Sequence, residues 1–314
     1  MGDRLKGKVA IVTGSGRGIG RAEALALAAE GAKIVVNDLG AASDGSGASA
    51  SPADEVCKEI KKLGGEAVPN FDSVATWAGG ANIVKTAIDN FGRIDILVNN
   101  AGILRDKMVF NMTEEEWDII LKIHLYGHFY CTRAAAPYMR QQRWGRIINT
   151  SSIAGLGNMG QANYSAAKEG IVGFTRTVAR DMGKYGVTCN ALRPNAATRM
   201  TVTDELMAAW KKRFVDSGGT DEAQFKAMID KLVLASTPEH IAPVVVWLAT
   251  EEAANVNGAT FFISGNEIGI YAEPAVTQKI TKAEGFWSVD ELVKVTPKEL
   301  TNNWANPMPA QPAK

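Results

Sequence analysis

Short β-branched runs alternate with helix-periodic segments from Lys8 to Ile263, and this alternation constrains the fold more than any other feature of the chain. The runs are Lys8–Thr13, Lys33–Asp38, Glu66–Phe71, Ile94–Asn99, Arg146–Thr150, Val187–Leu192 and Ala259–Ile263. Helical periodicity covers Gly18–Glu30, Pro52–Leu63, Thr76–Phe91, Thr113–Gln142, Asn163–Tyr185 and Ile241–Thr250. A strand that is apolar on both sides needs cover on both faces, and each crossover helix supplies it. Right-handed crossovers then wind the chain into an α/β fold, a doubly wound (Rossmann) parallel sheet. No break in the alternation marks a second domain, and no internal repeat is visible. The expectation is a single sheet domain over residues 1–265 and a C-terminal extension over 266–314.

Two segments fall outside the repeating pattern. Arg199–Thr237 is polar and helix-like, with Ser217-Gly218-Gly219 in its middle. It follows the strand that ends at Leu192, so it starts at the carboxyl edge of the sheet. Met200, Leu206, Met207, Trp210, Phe214, Phe225 and Met228 give it apolar surface. We read it as an inserted helical lid over the substrate, hinged at 217–219. A surface insertion that packs on the body or on a neighbouring subunit is the alternative. The tail is expected to be ordered over Phe286–Trp304, burying Phe286, Trp287 and Trp304, and frayed after Pro307.

The first strand runs into Thr13-Gly14-Ser15-Gly16-Arg17-Gly18-Ile19-Gly20 and then a helix. Glycines let the backbone approach a pyrophosphate, and a helix N-terminus offers unpaired N–H groups to it. In this strand–turn–helix setting Gly14, Arg17, Gly18, Ile19 and Gly20 are candidate cofactor-binding residues. Asp38 closes the second strand, where a carboxylate can accept from both ribose hydroxyls and repel a 2′-phosphate, which favours NAD over NADP. Arg17 points the other way, as a guanidinium able to pair with that phosphate, or is a solvated loop residue. We let Asp38 decide. Asp72 can bond the adenine amino group or simply form an Asx turn before its helix. Asn99 and Ala101 close the fourth strand. There small residues admit the adenosine, and the Asn99 side chain can tie adjacent strand ends.

Tyr164 and Lys168 stand one helical turn apart on one face. An ammonium beside a phenol favours phenolate, so Tyr164 can exchange a proton with an alcohol while hydride passes to a nicotinamide. Lys168 can also hold the nicotinamide ribose. Ser151 and Ser152 lie upstream, at the carboxyl end of a strand, where open α/β sheets bind ligands. Either can orient a carbonyl oxygen. The SSxxG pattern selects Ser152 and counting back from Tyr164 selects Ser151; we take Ser152.

These motifs, in this order over residues 8–265, resemble the short-chain dehydrogenase/reductase family. VVNDLG (35–40), FGRIDILVNNAGILRD (91–106), HLYGHF (124–129), GQANYSAAK (160–168), RPNAATRM (193–200) and VTPKELTNNW (295–304) are similar to one branch of it. That branch forms the (3R)-hydroxyacyl-CoA dehydrogenase unit of peroxisomal multifunctional enzyme type 2. The resemblance implies NAD-linked oxidation of a 3-hydroxyacyl-CoA in a degradative pathway. It also implies pairing of copies through the helices at 113–142 and 163–185. Those helices carry apolar residues around more of their circumference than one sheet face covers, so a homodimer or homotetramer is expected. His124 stands where most of the family has Asn, as in that branch. Asn195 replaces the usual Gly after Pro194, the 152–164 loop is one residue shorter than usual, and 199–237 is longer than in the multifunctional enzyme.

Composition excludes some other classes. With 34 basic and 34 acidic residues the chain has no net charge, so neither nucleic acid nor an anionic membrane is an expected partner. Cys57, Cys131 and Cys189 are odd in number and widely spaced, which argues against a disulfide framework and against a metal site. The polar start, MGDRLKGK, and an end that is not of the SKL kind make cytoplasm the default location. A dehydrogenase of a free alcohol or ketone, cyclic or steroid, is the competing enzymatic reading. Arg105, Lys107 and Arg143 are the basic candidates for binding CoA phosphates. A nucleotide-binding regulator without catalysis is the reading from another class, and Ser152, Tyr164 and Lys168 argue against it.

Overall fold

The computed structural model describes residues 2–198, 204–216, 220–305 and 307. The alternation becomes β1 (Val9–Thr13), α1 (Gly18–Ala29), β2 (Lys33–Asn37), α2 (Ser51–Lys62), β3 (Ala67–Asn70), α3 (Trp77–Phe91) and β4 (Ile96–Asn99). It continues with α4 (Glu114–Leu121), α5 (Gly127–Gln142), β5 (Gly145–Thr150), α6 (Ala162–Gly183) and β6 (Val187–Asn195). The insertion forms α7 (Asp204–Asp216) and α8 (Glu222–Leu234), followed by α9 (Ala242–Leu248), β7 (Thr260–Ser264) and β8 (Glu267–Ile270). One helix, α10 (Val289–Glu299), forms in the tail.

The strand order is β3-β2-β1-β4-β5-β6-β7-β8. All pairs are parallel except β7 with β8, which is antiparallel. Strand residues alternate between two cores, as the pleat requires. Ala10, Val12, Ile34, Val36, Ile96 and Val98 face one side and pack with Leu27 of α1, Ile60 of α2 and Val245 of α9. Val9, Ile11, Val35, Leu97 and Ile147 face the other and pack with Ile83 of α3, Met139 of α5 and Val178 of α6. Each fully buried Ile or Leu contributes about 1.5–3 kcal/mol. The three cysteines are free and buried in these layers. The strand order reverses between β1 and β4, which opens a crevice at the carboxyl ends of the strands there.

Three features depart from the sequence reading. Strand β8 was not legible. It hydrogen-bonds to β7 through Phe261↔Ile270 and Phe262↔Gly269, so the sheet unit runs to Tyr271 rather than stopping at Gly265. The helix read as continuous over 113–142 is interrupted. A capping box at Thr113 and Glu116 starts α4, a π-helical turn at Lys122–Tyr126 follows, and α5 then resumes. The tail, residues 272–314, forms a unit of its own. Ser288 caps α10 through a capping box, and Lys282 pairs with Glu291 at 2.8 Å. Burial of its aromatics does not occur: Phe286 is 96% and Trp304 78% exposed, and Trp287 is half-buried with the Lys282 Nζ 5.8 Å from its ring. The residues after Pro307 lie outside the described ones.

Candidate functional site

The crevice at the carboxyl ends of the strands is a cleft of about 560 Å³, lined from Gly14 and Asp38 at one end to Ser152, Tyr164 and Lys168 at the other. Its floor begins at the glycine turn. Gly14 has φ +64°, and a Cβ there would lie 2.7 Å from the Ala101 Cα, so only glycine lets β1 exit against β4. Gly20 faces away from the cleft. A Cβ on it would strike the Gly14 carbonyl at 2.4 Å, so it permits close helix–strand packing rather than contact with a ligand. Thr13 joins the two strand ends, its Oγ accepting from Asn100 N–H at 3.0 Å and Ala101 N–H at 3.1 Å. Helix α1 has no side-chain cap at Arg17, so its first-turn N–H groups lack that partner. Gly14, Gly18, Ile19 and the exposed Arg17 all line it.

Asp38 does more than present a charge. One carboxylate oxygen accepts from Gly16 N–H at 2.7 Å and the other from Gly40 N–H at 2.7 Å. It thus fastens the glycine turn on one side and the loop after β2 on the other, while still lining the cleft. Asp72 lines it too, with its oxygens accepting from Asn70 at 2.8 Å and Asn82 at 3.1 Å. The Asx turn at this point belongs to Asn70, whose Oδ1 accepts from Asp72 N–H. Thr76, not Asp72, caps α3.

Asn99 does not reach the cleft. Its side chain is buried and donates to Asn149 Oδ1 at 2.9 Å and Thr132 Oγ at 3.2 Å, tying β4 to β5. Asn100 lines the cleft instead and donates to the Thr13 and Gly14 carbonyls at 3.0 and 3.2 Å. Asn99 is the last residue of β4 and is in register with Asn149, so the two amides meet between the strands, while Asn100 lies one residue beyond the strand end.

At the other end β5 delivers the two serines and α6 delivers Tyr164 and Lys168. The serines have different jobs. Ser151 is buried and donates to the Lys168 carbonyl at 2.6 Å, fixing α6 to β5. Ser152 accepts from Ala154 N–H and stands close enough to the Tyr164 phenol to favour its ionisation. Ser152 is therefore the serine beside the Tyr164 phenol. Lys168 is buried, donates to the Thr150 carbonyl at 2.6 Å, and has its Nζ 5.4 Å from the Tyr164 ring centre.

The electrostatics correct one expectation. Burial pushes the Tyr164 phenol up to about 12, against the pull of Ser152, and burial pushes the Lys168 ammonium down to about 7. Lys168 alone does not make this phenol acidic, because its ammonium is spent on Thr150 and is itself penalised by desolvation. The π-helical turn places His124 in the cleft wall. Its ring meets the Tyr164 ring edge-on at 5.1 Å, and its Nε2 lies 2.9 Å from the Ile103 carbonyl oxygen. Burial, then Lys168, holds His124 well below its usual range, so it is a neutral ring here.

Around the mouth, Asn163 donates to the Arg105 carbonyl at 3.0 Å and Lys107 N–H donates to the Gly160 carbonyl at 2.7 Å. Arg105 and Lys107 thus flank the start of α6. Arg143 does not join them. It ends α5 just before β5 begins, at the opposite edge of the sheet, with its guanidinium 5.5 Å from the Tyr185 ring. The insertion starts beside the cleft, where Ala196 and Thr198 line it. Ala197 N–H donates to the Ser236 carbonyl at 2.7 Å, closing the base of the insertion. Phe214 of α7 packs on Phe225 of α8 at 5.5 Å. The expected hinge at 217–219 and Met200 lie outside the described residues. Among those described, no three His, Cys, Asp or Glu side chains form a metal-binding group, and no helix is long and apolar enough to cross a membrane.

Comparison with known proteins places this geometry. Residues 8–209 match the family model described as short chain dehydrogenase. The chain is 42% identical over 302 residues to the mouse peroxisomal multifunctional enzyme type 2, covering 96% of this chain but only 36% of that protein. It is 39% identical over 297 residues to the Mycobacterium tuberculosis hydroxyacyl-CoA dehydrogenase ChsB1, covering 92% of this chain and 87% of that one. A short chain dehydrogenase from Mycobacterium avium superposes with a TM-score of 0.78 at 42% identity, covering 98% of this chain and 99% of that one. The chain belongs to the short-chain dehydrogenase family and is an oxidoreductase of that family acting on a small-molecule substrate.

Proposed function

We propose that this enzyme oxidises a 3-hydroxyacyl-CoA to the 3-oxoacyl-CoA with NAD, in a degradative pathway. The observation that carries the reading is the placement of Ser152, Tyr164 and Lys168 at one end of a cleft whose other end is Asp38. The residues present fit a dinucleotide. Gly14, Gly18 and Ile19 of the glycine turn line the cleft, α1 begins there without a side-chain cap, and Asp38 offers a carboxylate for ribose hydroxyls. When bound, NAD supplies the hydride acceptor and a positive charge beside the phenol, which favours phenolate. Tyr164 takes the proton of the substrate hydroxyl at its phenolic oxygen as the carbinol C–H bond breaks. Ser152 orients the oxygen that becomes the carbonyl. Lys168, held on the Thr150 carbonyl, keeps α6 in register and presents its ammonium to the ribose. Neutral His124 buttresses the Tyr164 ring without competing for the proton.

The acyl-CoA part rests on two supports. ChsB1 and this chain match over nearly their whole lengths, and ChsB1 is named a hydroxyacyl-CoA dehydrogenase. Arg105 and Lys107 also flank the start of α6, the helix that carries Tyr164, and are the basic side chains we assign to the CoA phosphates. The test is NADH formation from a panel of 3-hydroxyacyl-CoA esters set against the matching free alcohols. Turnover of the esters and not of the alcohols supports the reading. Preference for the free alcohols overturns the CoA assignment and leaves the dehydrogenase chemistry standing.

A further inference from the structure

Residues 39–49, between β2 and α2, form a closed loop of their own. Ser49 N–H donates to the Leu39 carbonyl at 2.9 Å, and Ala42 N–H to the Ser46 carbonyl at 2.8 Å. The Asp44 carboxylate accepts from the Ser46 N–H and hydroxyl at the tip. The loop is rooted at Asp38, which bonds Gly40 N–H on the loop side and Gly16 N–H on the glycine-turn side. Its tip does not end in solvent. The Ser43 carbonyl accepts from Leu104 N–H at 3.1 Å, and Gly45 is packed so closely on Ile103 that a Cβ would sit 2.8 Å from the Ile103 Cδ1.

Leu104 follows β4, and the loop follows β2. In the sheet these strands flank β1, so the bridge from Ser43 to Leu104 crosses over the carboxyl end of β1. Leu39, Ala41, Ala42, Gly45 and Ile103 face the cleft along this bridge. A molecule that reaches from Asp38 to Tyr164 through this cleft meets the bridge along its wall. We propose that residues 39–49 are a strap over the dinucleotide, clasped by Ser43 to Leu104, and that the dinucleotide enters and leaves only when this clasp opens. This rests on the dinucleotide reading of the cleft. One backbone hydrogen bond and one glycine–isoleucine contact are weak enough to open, and glycines at 45 and 47 with φ of +86° and +71° let the tip fold back.

The experiment joins the two sides covalently. In a Ser43→Cys, Leu104→Cys variant the three natural cysteines are buried, so oxidation, or dibromobimane where oxidation does not close the pair, acts on the new thiols. Bridging is read by mass spectrometry. NADH release is followed by the loss of its fluorescence on mixing with excess NAD, after the bridge is closed on the NADH-loaded protein. The expected result is release slowed about tenfold or more by the bridge and restored when the disulfide is reduced, as for a gating step. Equal release rates with and without the bridge overturn the strap. If neither reagent bridges the pair, the NADH release rate of the Gly45→Val variant decides the proposal. Gly45→Val is the second variant. Its side chain crowds Ile103, so NADH release should be faster than in the unaltered protein, and an unchanged rate also counts against the strap. If the unaltered protein binds no NADH, the reading of the cleft fails. If it binds NADH and the bridge has no effect, only the strap fails.

Discussion

Asp38→Ala tests cofactor choice and the architecture of the cleft together. The carboxylate accepts two backbone N–H bonds at 2.7 Å, from Gly16 and from Gly40. Hydrogen bonds to a charged group contribute about 1.5–3 kcal/mol each, and half-burial places these at the low end. Losing both removes about 3 kcal/mol from the closed arrangement of turn and loop, a factor of roughly 100 in affinity for anything that needs that arrangement. NAD also loses its ribose acceptor. The NAD kcat/KM should therefore fall at least about 100-fold. NADP loses the same arrangement but escapes the repulsion of its 2′-phosphate by a carboxylate, so its kcat/KM should change far less. The preference narrows, and because the loop is unfastened it narrows through loss of NAD rather than gain of NADP. The assay is steady-state kcat/KM for both cofactors with one substrate, on both proteins. A natural enzyme that prefers NADP, or a variant that keeps its full NAD preference, refutes the reasoning.

Other outcomes follow from the same structure. Glu23 is fully buried in α1 with neither carboxylate oxygen paired, and burial raises its carboxyl from 4.5 to about 8. The folded state thus holds a proton that the unfolded chain releases, so the stability of the natural protein relative to Glu23→Gln should fall by ~1.4 kcal/mol per pH unit between about 4.5 and 8; equal pH slopes in chemical denaturation would contradict this. Trp77, Tyr126 and Phe129 are exposed and join through Tyr130 into one aromatic patch, so the protein should be a homodimer or homotetramer by light scattering at micromolar concentration, and a monomer refutes that. Hydrogen exchange over 204–216 and 220–237 should slow when NADH and an acyl-CoA are both bound if the insertion is a lid, and unchanged exchange removes that role.

Much of the fold was legible because parallel strands buried on both faces are unbroken apolar runs, as in Val9–Val12 and Ile34–Val36. Strand β8 was not, because Glu267–Ile270 is exposed at the sheet edge and carries no such run. The π turn at 122–126 was hidden because the apolar spacing of α4 and α5 carries through it. In the site, the residue types and their order were enough to find Tyr164, Lys168, Asp38 and the glycine turn. What they do to one another was not readable from spacing. Only the fold shows that Ser151 is taken by the Lys168 carbonyl, that Asn99 ties β4 to β5, and that each Asp38 oxygen accepts from a backbone N–H, of Gly16 or of Gly40. The strap was visible only as a run of Gly, Ser and Ala, because its clasp joins residues distant in sequence through main-chain atoms.

The central claim is that Tyr164 carries the proton while the cleft holds the dinucleotide independently of it. Tyr164→Phe isolates that claim, because the ring that packs edge-on against His124 stays and only the hydroxyl facing Ser152 goes. NADH binding by fluorescence titration and NADH production from a 3-hydroxyacyl-CoA are measured on the same preparation. The account predicts NADH affinity within a few-fold of the natural protein and turnover reduced by about 100-fold or more, the scale of a lost general base. Turnover within a few-fold of the natural enzyme, with NADH still bound, would contradict it.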